Sequence, residues 1–190
     1  MVEPLFRVSK GASEFRVGEV AVVDPADAKH AISVRRMRVG EAIQLTDGKG
    51  LRLRGKVSAI EGSTMQMLID SATREASPEV SIILVQALAK GDRDELAIQA
   101  ATELGAMGFL PWQADRSISK WDAPKVAKGV DRWQAIVTEA AKQSLRVFDP
   151  VVRQPATSKQ LAKQISDGDL GMVLVLDPTA EQGLVSFLQK

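Results

Sequence analysis

The sequence predicts a mixed α/β chain in two parts: a small β-barrel over residues 1–73, and over residues 79–190 an α/β part with a mostly parallel sheet. Three observations predict it. Residues 1–73 read as short alternating stretches broken by turns, "LFRV", "EVAVV", "AIQLTDGKG", "LRLRGKVSAI" and "TMQMLID". The polar stretch 74–80, "REASPEV", holds Pro78 and marks a change of pattern, so the linker is placed there. Beyond it, apolar strand-like runs alternate with amphipathic helical ones, the signature of parallel strands joined by helical crossovers.

Within the first part, Asp47-Gly48 and Lys49-Gly50 mark a tight connection between two alternating strands, because glycine tolerates positive φ. "PADAKHAISVRRM" is the exception to the β pattern. It starts at Pro25 and carries Ala28, Ala31, Ile32 and Val34 on one side, as a short helix packed on the strands would. In the second part, "VSIILVQALA" is a continuous apolar run of the kind a strand buried on both faces shows. A helix is expected from about Arg93 to Leu104, with Asp92 as N-cap, Glu95 completing a capping box and Gly105 as the stop. "MGFLPW" reads as the next strand, and a long helix follows from about Lys125 to Leu145 with Val130, Trp133, Val137 and Ala141 at helical spacing. The chain is expected to close with a helix "SKQLAKQIS", a strand "GMVLVLD" and a helical stretch "AEQGLVSFLQK".

Composition narrows the chemistry. With no Cys and one His among 190 residues, disulfides, thiolate nucleophiles and multi-histidine metal cages are excluded within this chain, and no metal is expected. The longest apolar run falls far short of the roughly 20 residues that span a bilayer, and the N-terminus lacks the apolar core of an export signal, so a cytoplasmic protein with no membrane contact is expected. Net charge is only +1, but residues 35–56 hold seven basic side chains (Arg35, Arg36, Arg38, Lys49, Arg52, Arg54, Lys56) against Glu41 and Asp47. Such a stretch suits phosphate, although charge alone favours reading "LRLRGK" as a solvated strand face. Neither a P-loop nor a GxGxxG pattern occurs.

Ligands of parallel sheets gather at the carboxyl ends of the strands, here "ALAKGD", "PWQADRS" and "LDPTA". Lys90, beside Gly91 and ahead of a helix start, is either a phosphate grip or a solvated residue next to a capped helix; residue types alone favour the second. Arg116, Ser117, Ser119 and Lys120 offer donors suited to phosphate oxygens, or a solvated loop. Trp133 reads as core, and His30 as structural.

Three separated stretches, taken together, resemble one family. "HAISVRRMRVGEAIQLTDGKG", "LVQALAKGDRDELAIQAATELGAMGFLPWQADRSISK" and "RWQAIVTEAAKQSLRVFDPVV" are similar, in order and spacing, to bacterial 16S ribosomal RNA (uracil-N3)-methyltransferases. The resemblance implies a PUA-like N-terminal barrel for RNA docking and a SPOUT domain with a trefoil-knotted site for S-adenosylmethionine, acting as a homodimer on the small ribosomal subunit. The implied reaction methylates N3 of one uridine in 16S rRNA. The RNA-facing residues expected from resemblance and charge are His30, Arg35, Arg36, Arg38, Lys90, Arg93, Arg116, Ser117, Lys120, Arg132 and Arg146. The family's Gly-Pro-Glu-Gly-Gly loop and later Leu-Gly-x-x-Ile-Leu-Arg-x-Glu-Thr-Ala stretch do not occur up to Lys190, so a fragment with an incomplete cofactor site is expected, in which Leu176, Asp177 and Pro178 are the candidates for touching S-adenosylmethionine. No residue is singled out as catalytic. The alternative is an RNA-binding module without activity.

Overall fold

The computed structural model describes residues 2–9, 15–177, 179–181 and 183–188. The first part is a five-stranded sheet made of β1 (Leu5–Arg7), β2 (Val20–Val22), β3 (Ala42–Thr46), β4 (Leu51–Glu61) and β5 (Thr64–Arg74), in the order β1-β3-β4-β5-β2. β1 runs parallel to β3, and every other pair is antiparallel. A bridge between Val8 and Val23, with the Ser9 N–H donating to the Val22 carbonyl, brings the two edges together, so the sheet closes as the barrel the alternation predicts. Alternate residues of β4 and β5 turn inward. Leu53, Val57, Met65, Met67 and Ile69 are buried there with Ile43 and Leu45 of β3.

Helix α1 (Pro25–Ser33) lies on this core through Ala28 and Ala31, which are fully buried. Its start is locally encoded: the Asp24 carboxylate accepts the Ala26 N–H and Pro25 stands in the first turn, where no N–H is needed. The chain then passes through Arg36 at φ 54, and Met37 drops back into the barrel core. Arg35, Arg36 and Arg38 are left exposed around that anchored methionine.

The second sheet begins at β6 (Ile83–Ala87), continues through α2 (Arg93–Leu104), β7 (Gly108–Gln113), α3 (Ala123–Gln143), β8 (Val151–Val152), β9 (Ala156–Thr157) and α4 (Ser158–Ser166), and is followed by α5 (Leu184–Leu188). All its pairings are parallel, with β7 between β6 on one side and β8 and β9 on the other. The core between sheet and helices is formed by Ile98 of α2, Phe109 of β7, and Trp133 and Val137 of α3, each at most 1% exposed.

Three expectations are corrected. "GMVLVLD" forms no strand: residues 171–177 lack strand pairing, and Met172, Val175 and Leu176 are exposed. β6, expected to be buried on both faces, is half-buried along its whole length, because it pairs only with β7 among the described residues. Asp92 is not a side-chain cap. It sits at φ 58 directly after Gly91 at φ 68, and its carboxylate makes no cap hydrogen bond. Asp94 takes over the role, accepting the Ala89 N–H at 3.2 Å and the Glu95 N–H at 3.0 Å. Among the described residues no helix is long and apolar enough to cross a membrane.

Candidate functional site

Two loops meet at the carboxyl ends of β6 and β7. Two successive left-handed residues, Gly91 and Asp92, turn the first loop sharply; at Gly91 a side chain would meet open space, so the backbone angle, not crowding, demands glycine. Ser117 ties the second loop to the first by donating from Oγ to the Leu88 carbonyl at 3.2 Å. Lys90, Arg93, Arg116 and Lys120 are all exposed here, and Ser117 is half-buried. The structure thus gathers at one end of the parallel sheet the residues that the sequence assigned to separate stretches.

Behind these cations is a hollow of about 250 Å³ lined by Gly91, Glu95, Ser119, Trp121, Gly129 and Arg132, among others. The Trp121 ring packs edge-on to Trp133, with centroids 5.4 Å apart and planes at 79°. It lies so close to α3 that a Cβ at Gly129 would come within 2.6 Å of it. Sequence patterns did not mark Trp121, Gly129 or Glu95 as site residues.

Two expected RNA contacts have internal partners. Arg132 forms a fork on Glu95, Nε to Oε1 at 2.5 Å and Nη2 to Oε2 at 2.8 Å, and faces Asp92 at 3.8 Å. The Glu95 hydrogen bond holds the guanidinium even more firmly charged than an ordinary arginine. Arg146 donates to the carbonyls of Thr102 and Gly105 at the end of α2 and to the Met107 sulfur, and burial lowers its pKa. Both arginines brace α2, Arg132 at its start and Arg146 at its end. His30, Arg35, Arg36 and Arg38 lie away from the sheet ends in sequence, on α1 and the loop after it, and are exposed.

The expected cofactor residues fall elsewhere on the second part. Leu176 and Asp177 line an open hollow of about 550 Å³ with Leu174, Val175, Leu184 and Phe187. Pro178 lies outside the described residues. The Asp177 carboxylate accepts the N–H and Oγ–H of Thr179 at 2.7 and 2.6 Å, and these bonds lower its pKa and keep it ionised. Among the described residues no acidic or histidine cluster could hold a metal.

Residues 76–190 match the family model described as an RNA methyltransferase domain, and residues 23–66 match that of the RNA methyltransferase PUA domain. The chain belongs to the RNA methyltransferase family. Within that family, ribosomal RNA small subunit methyltransferase E of Mycobacterium tuberculosis is 40% identical over 174 residues, covering 88% of this chain and 65% of the relative. The Bacillus subtilis protein of the same name is 32% identical over 161 residues, covering 84% and 62%. This member of the RNA methyltransferase family therefore spans less than two thirds of the length of those relatives. Among solved structures, ribosomal RNA small subunit methyltransferase E of Neisseria gonorrhoeae bound to S-adenosylmethionine superposes with a TM-score of 0.71 at 28% identity, over 85% of this chain and 65% of that one. A methyltransferase from Legionella pneumophila with bound S-adenosylmethionine gives a TM-score of 0.79 at 24% identity, over 96% and 73%, and supports the fold.

Proposed function

We propose that this chain carries the RNA-docking barrel and much of the catalytic fold of an S-adenosylmethionine-dependent methyltransferase that modifies N3 of a uridine in 16S rRNA of the small ribosomal subunit. The observation that carries the reading is a match to a small-subunit rRNA methyltransferase that is 40% identical over 88% of the chain. The resemblance of the three sequence stretches supports uridine N3 as the target and a homodimeric, cytoplasmic enzyme with a knotted SPOUT cofactor site.

The donor, when bound, supplies an electrophilic methyl group. Leu176 and Asp177, with Pro178, are the residues proposed to hold it: apolar side chains suit an adenine face, and an ionised carboxylate suits hydroxyl or ammonium donors. The remaining work of these residues is positioning. Arg35, Arg36, Arg38, Lys90, Arg93, Arg116 and Lys120 hold phosphates, His30 adds a donor and Ser117, its Oγ–H given to the Leu88 carbonyl, holds the two loops together, so that uracil N3 is presented in line, which is where orientation contributes most to rate. Arg132 and Arg146 act from behind by bracing α2, which carries the Lys90 loop.

Binding of a 16S rRNA fragment measured against salt tests the docking face. Replacing Arg35, Arg36, Lys90 and Arg116 together by Ala is expected to weaken binding strongly at low salt and to flatten the log–log salt slope by roughly 3, at about 0.7 for each lost contact with single-stranded RNA. Unchanged affinity and slope would sink the proposal. Calorimetric titration of S-adenosylmethionine into the same chain separates an enzyme, which takes up heat-detectable cofactor, from a bare RNA-binding module.

A further inference from the structure

Among the described residues, six polar or charged ones are buried: Asp27, Gln44, Thr46, Asp94, Thr102 and Lys142. Four of them, Asp27, Gln44, Thr46 and Lys142, lie where the barrel meets the second part, and the proposed chemistry uses none. Lys142, in the last turn of α3, is 8% exposed; its ammonium lies 2.6 Å from Asp27 Oδ1 on α1 and 2.5 Å from Glu139 Oε1 one turn back. The other Asp27 oxygen accepts the Arg7 N–H at 2.6 Å, and the Arg7 guanidinium pairs with Asp149. One connected run of charges thus leaves α3, crosses α1 and β1, and returns to the segment before β8.

A second clasp lies beside it. Arg52 donates to Gln44 and Glu75 within the barrel part and, at 2.9 Å, to the Leu145 carbonyl. Leu145 itself sits at φ 58, where the chain turns out of α3. Thr46 Oγ donates to the Val147 carbonyl at 3.3 Å, the Gly50 N–H donates to the same carbonyl at 2.9 Å, and the Asp149 N–H donates to Gly48 at 3.0 Å.

Burying an ammonium to join two sheets is expensive, and well-packed apolar groups would join them more cheaply; what directional ion pairs add is a fixed register. Helix α1 is the element held; it carries His30, and its far end leads into Arg35, Arg36 and Arg38. Resting on the docking reading above, we propose that Lys142 is a positioning residue: through Asp27 it fixes α1, and so the Arg35–Arg38 cations, relative to the sheet-end loops that carry Lys90 and Arg116. Two cationic patches on one rigid body bind an RNA as a single site, with the second contact made at high effective concentration; patches that swing independently lose that advantage.

The natural absence of Cys makes the test direct. Spin labels on Ser58→Cys in β4 and Ala100→Cys in α2, both exposed positions, report the distance between barrel and second part. The native background is expected to give one narrow distance distribution. Asp27→Asn with Lys142→Met removes both charges together, so that neither is left buried alone, while the asparagine oxygen still accepts the Arg7 N–H. That variant is expected to keep its secondary structure, at least double the width of the distribution, and bind the rRNA fragment about tenfold more weakly. Lys142→Arg should restore both readouts, and, if the double variant folds poorly, Asp27→Asn with Lys142→Gln, which removes both charges but keeps two side chains able to hydrogen-bond, should give intermediate values. A distribution that stays narrow overturns the inference, as does one that broadens with RNA affinity unchanged. Should the native chain not bind rRNA, the docking reading fails by itself, and the label distances still decide whether Lys142 fixes the two parts.

Discussion

At the scale of single residues, Gly129 is decided by the ring beside it. In a helix interior alanine is worth about 1 kcal/mol more than glycine, so isolated helix propensity argues for Gly129→Ala as a stabilising change. Packing argues the opposite: the new methyl would come within 2.6 Å of Trp121, whose ring is held edge-on by Trp133, itself 1% exposed. Overpacking of this kind costs typically 1–3 kcal/mol. Urea unfolding followed by tryptophan fluorescence should therefore show a net loss of stability; a gain would mean that Trp121 swings away freely. The sequence carried little of this. Helical spacing placed Trp133 in the core, but Trp121 comes from a loop outside any period, and only the folded chain sets its ring against Gly129. The same holds for arginines: Arg132 and Arg146 are legible as cations, whereas their partners, Glu95 and the carbonyls of Thr102 and Gly105, lie 37 to 44 residues away.

At the scale of elements, the start of α2 shows where local signals mislead. The stretch "GDRDEL" reads, with Glu95 at capping-box spacing, as a helix start capped by Asp92. The left-handed pair Gly91–Asp92 rotates that side chain away, toward Arg132, and brings Asp94 under the loop instead. Asp94 is 7% exposed and satisfies two backbone donors, so Asp94→Ala should cost about 1–3 kcal/mol, by leaving half-buried N–H groups unpaired, whereas Asp92→Ala should stay within about 0.5 kcal/mol. Chemical denaturation of both variants distinguishes the two, and the reverse order would return the cap to Asp92. Where no left-handed residue intervenes, reading from sequence succeeds: α1 begins at Pro25 behind a working Asp24 cap, and α4 occupies the expected "SKQLAKQIS" behind Thr157 and Gln160. Strands depend on partners that are distant in sequence. β6 has the apolar run of a central strand and lies at an edge, and "GMVLVLD" has strand composition with no neighbour to pair with among the described residues.

At the scale of the whole molecule, two sheets of different pairing were legible because the hydrophobic period changes at residues 74–80, but the clasp that joins them was not, since Arg7–Asp149 and Lys142–Asp27 span 142 and 115 residues. Nor did composition show how much apolar surface the second part leaves in water. Val80, Ile82, Met172, Val175 and Leu176, large apolar side chains of the second part, are each 61–79% exposed. Such surface binds apolar dyes and drives self-association, so this chain should enhance anilinonaphthalene sulfonate fluorescence while fully folded and should show concentration-dependent sedimentation. Met172→Lys with Val175→Lys should reduce both effects several-fold and shift stability by no more than about 0.5 kcal/mol, because these side chains make few contacts to lose. An unchanged dye signal in that variant would place the responsible surface elsewhere, for example on α2, where Leu96 and Leu104 are 65% and 90% exposed two turns apart.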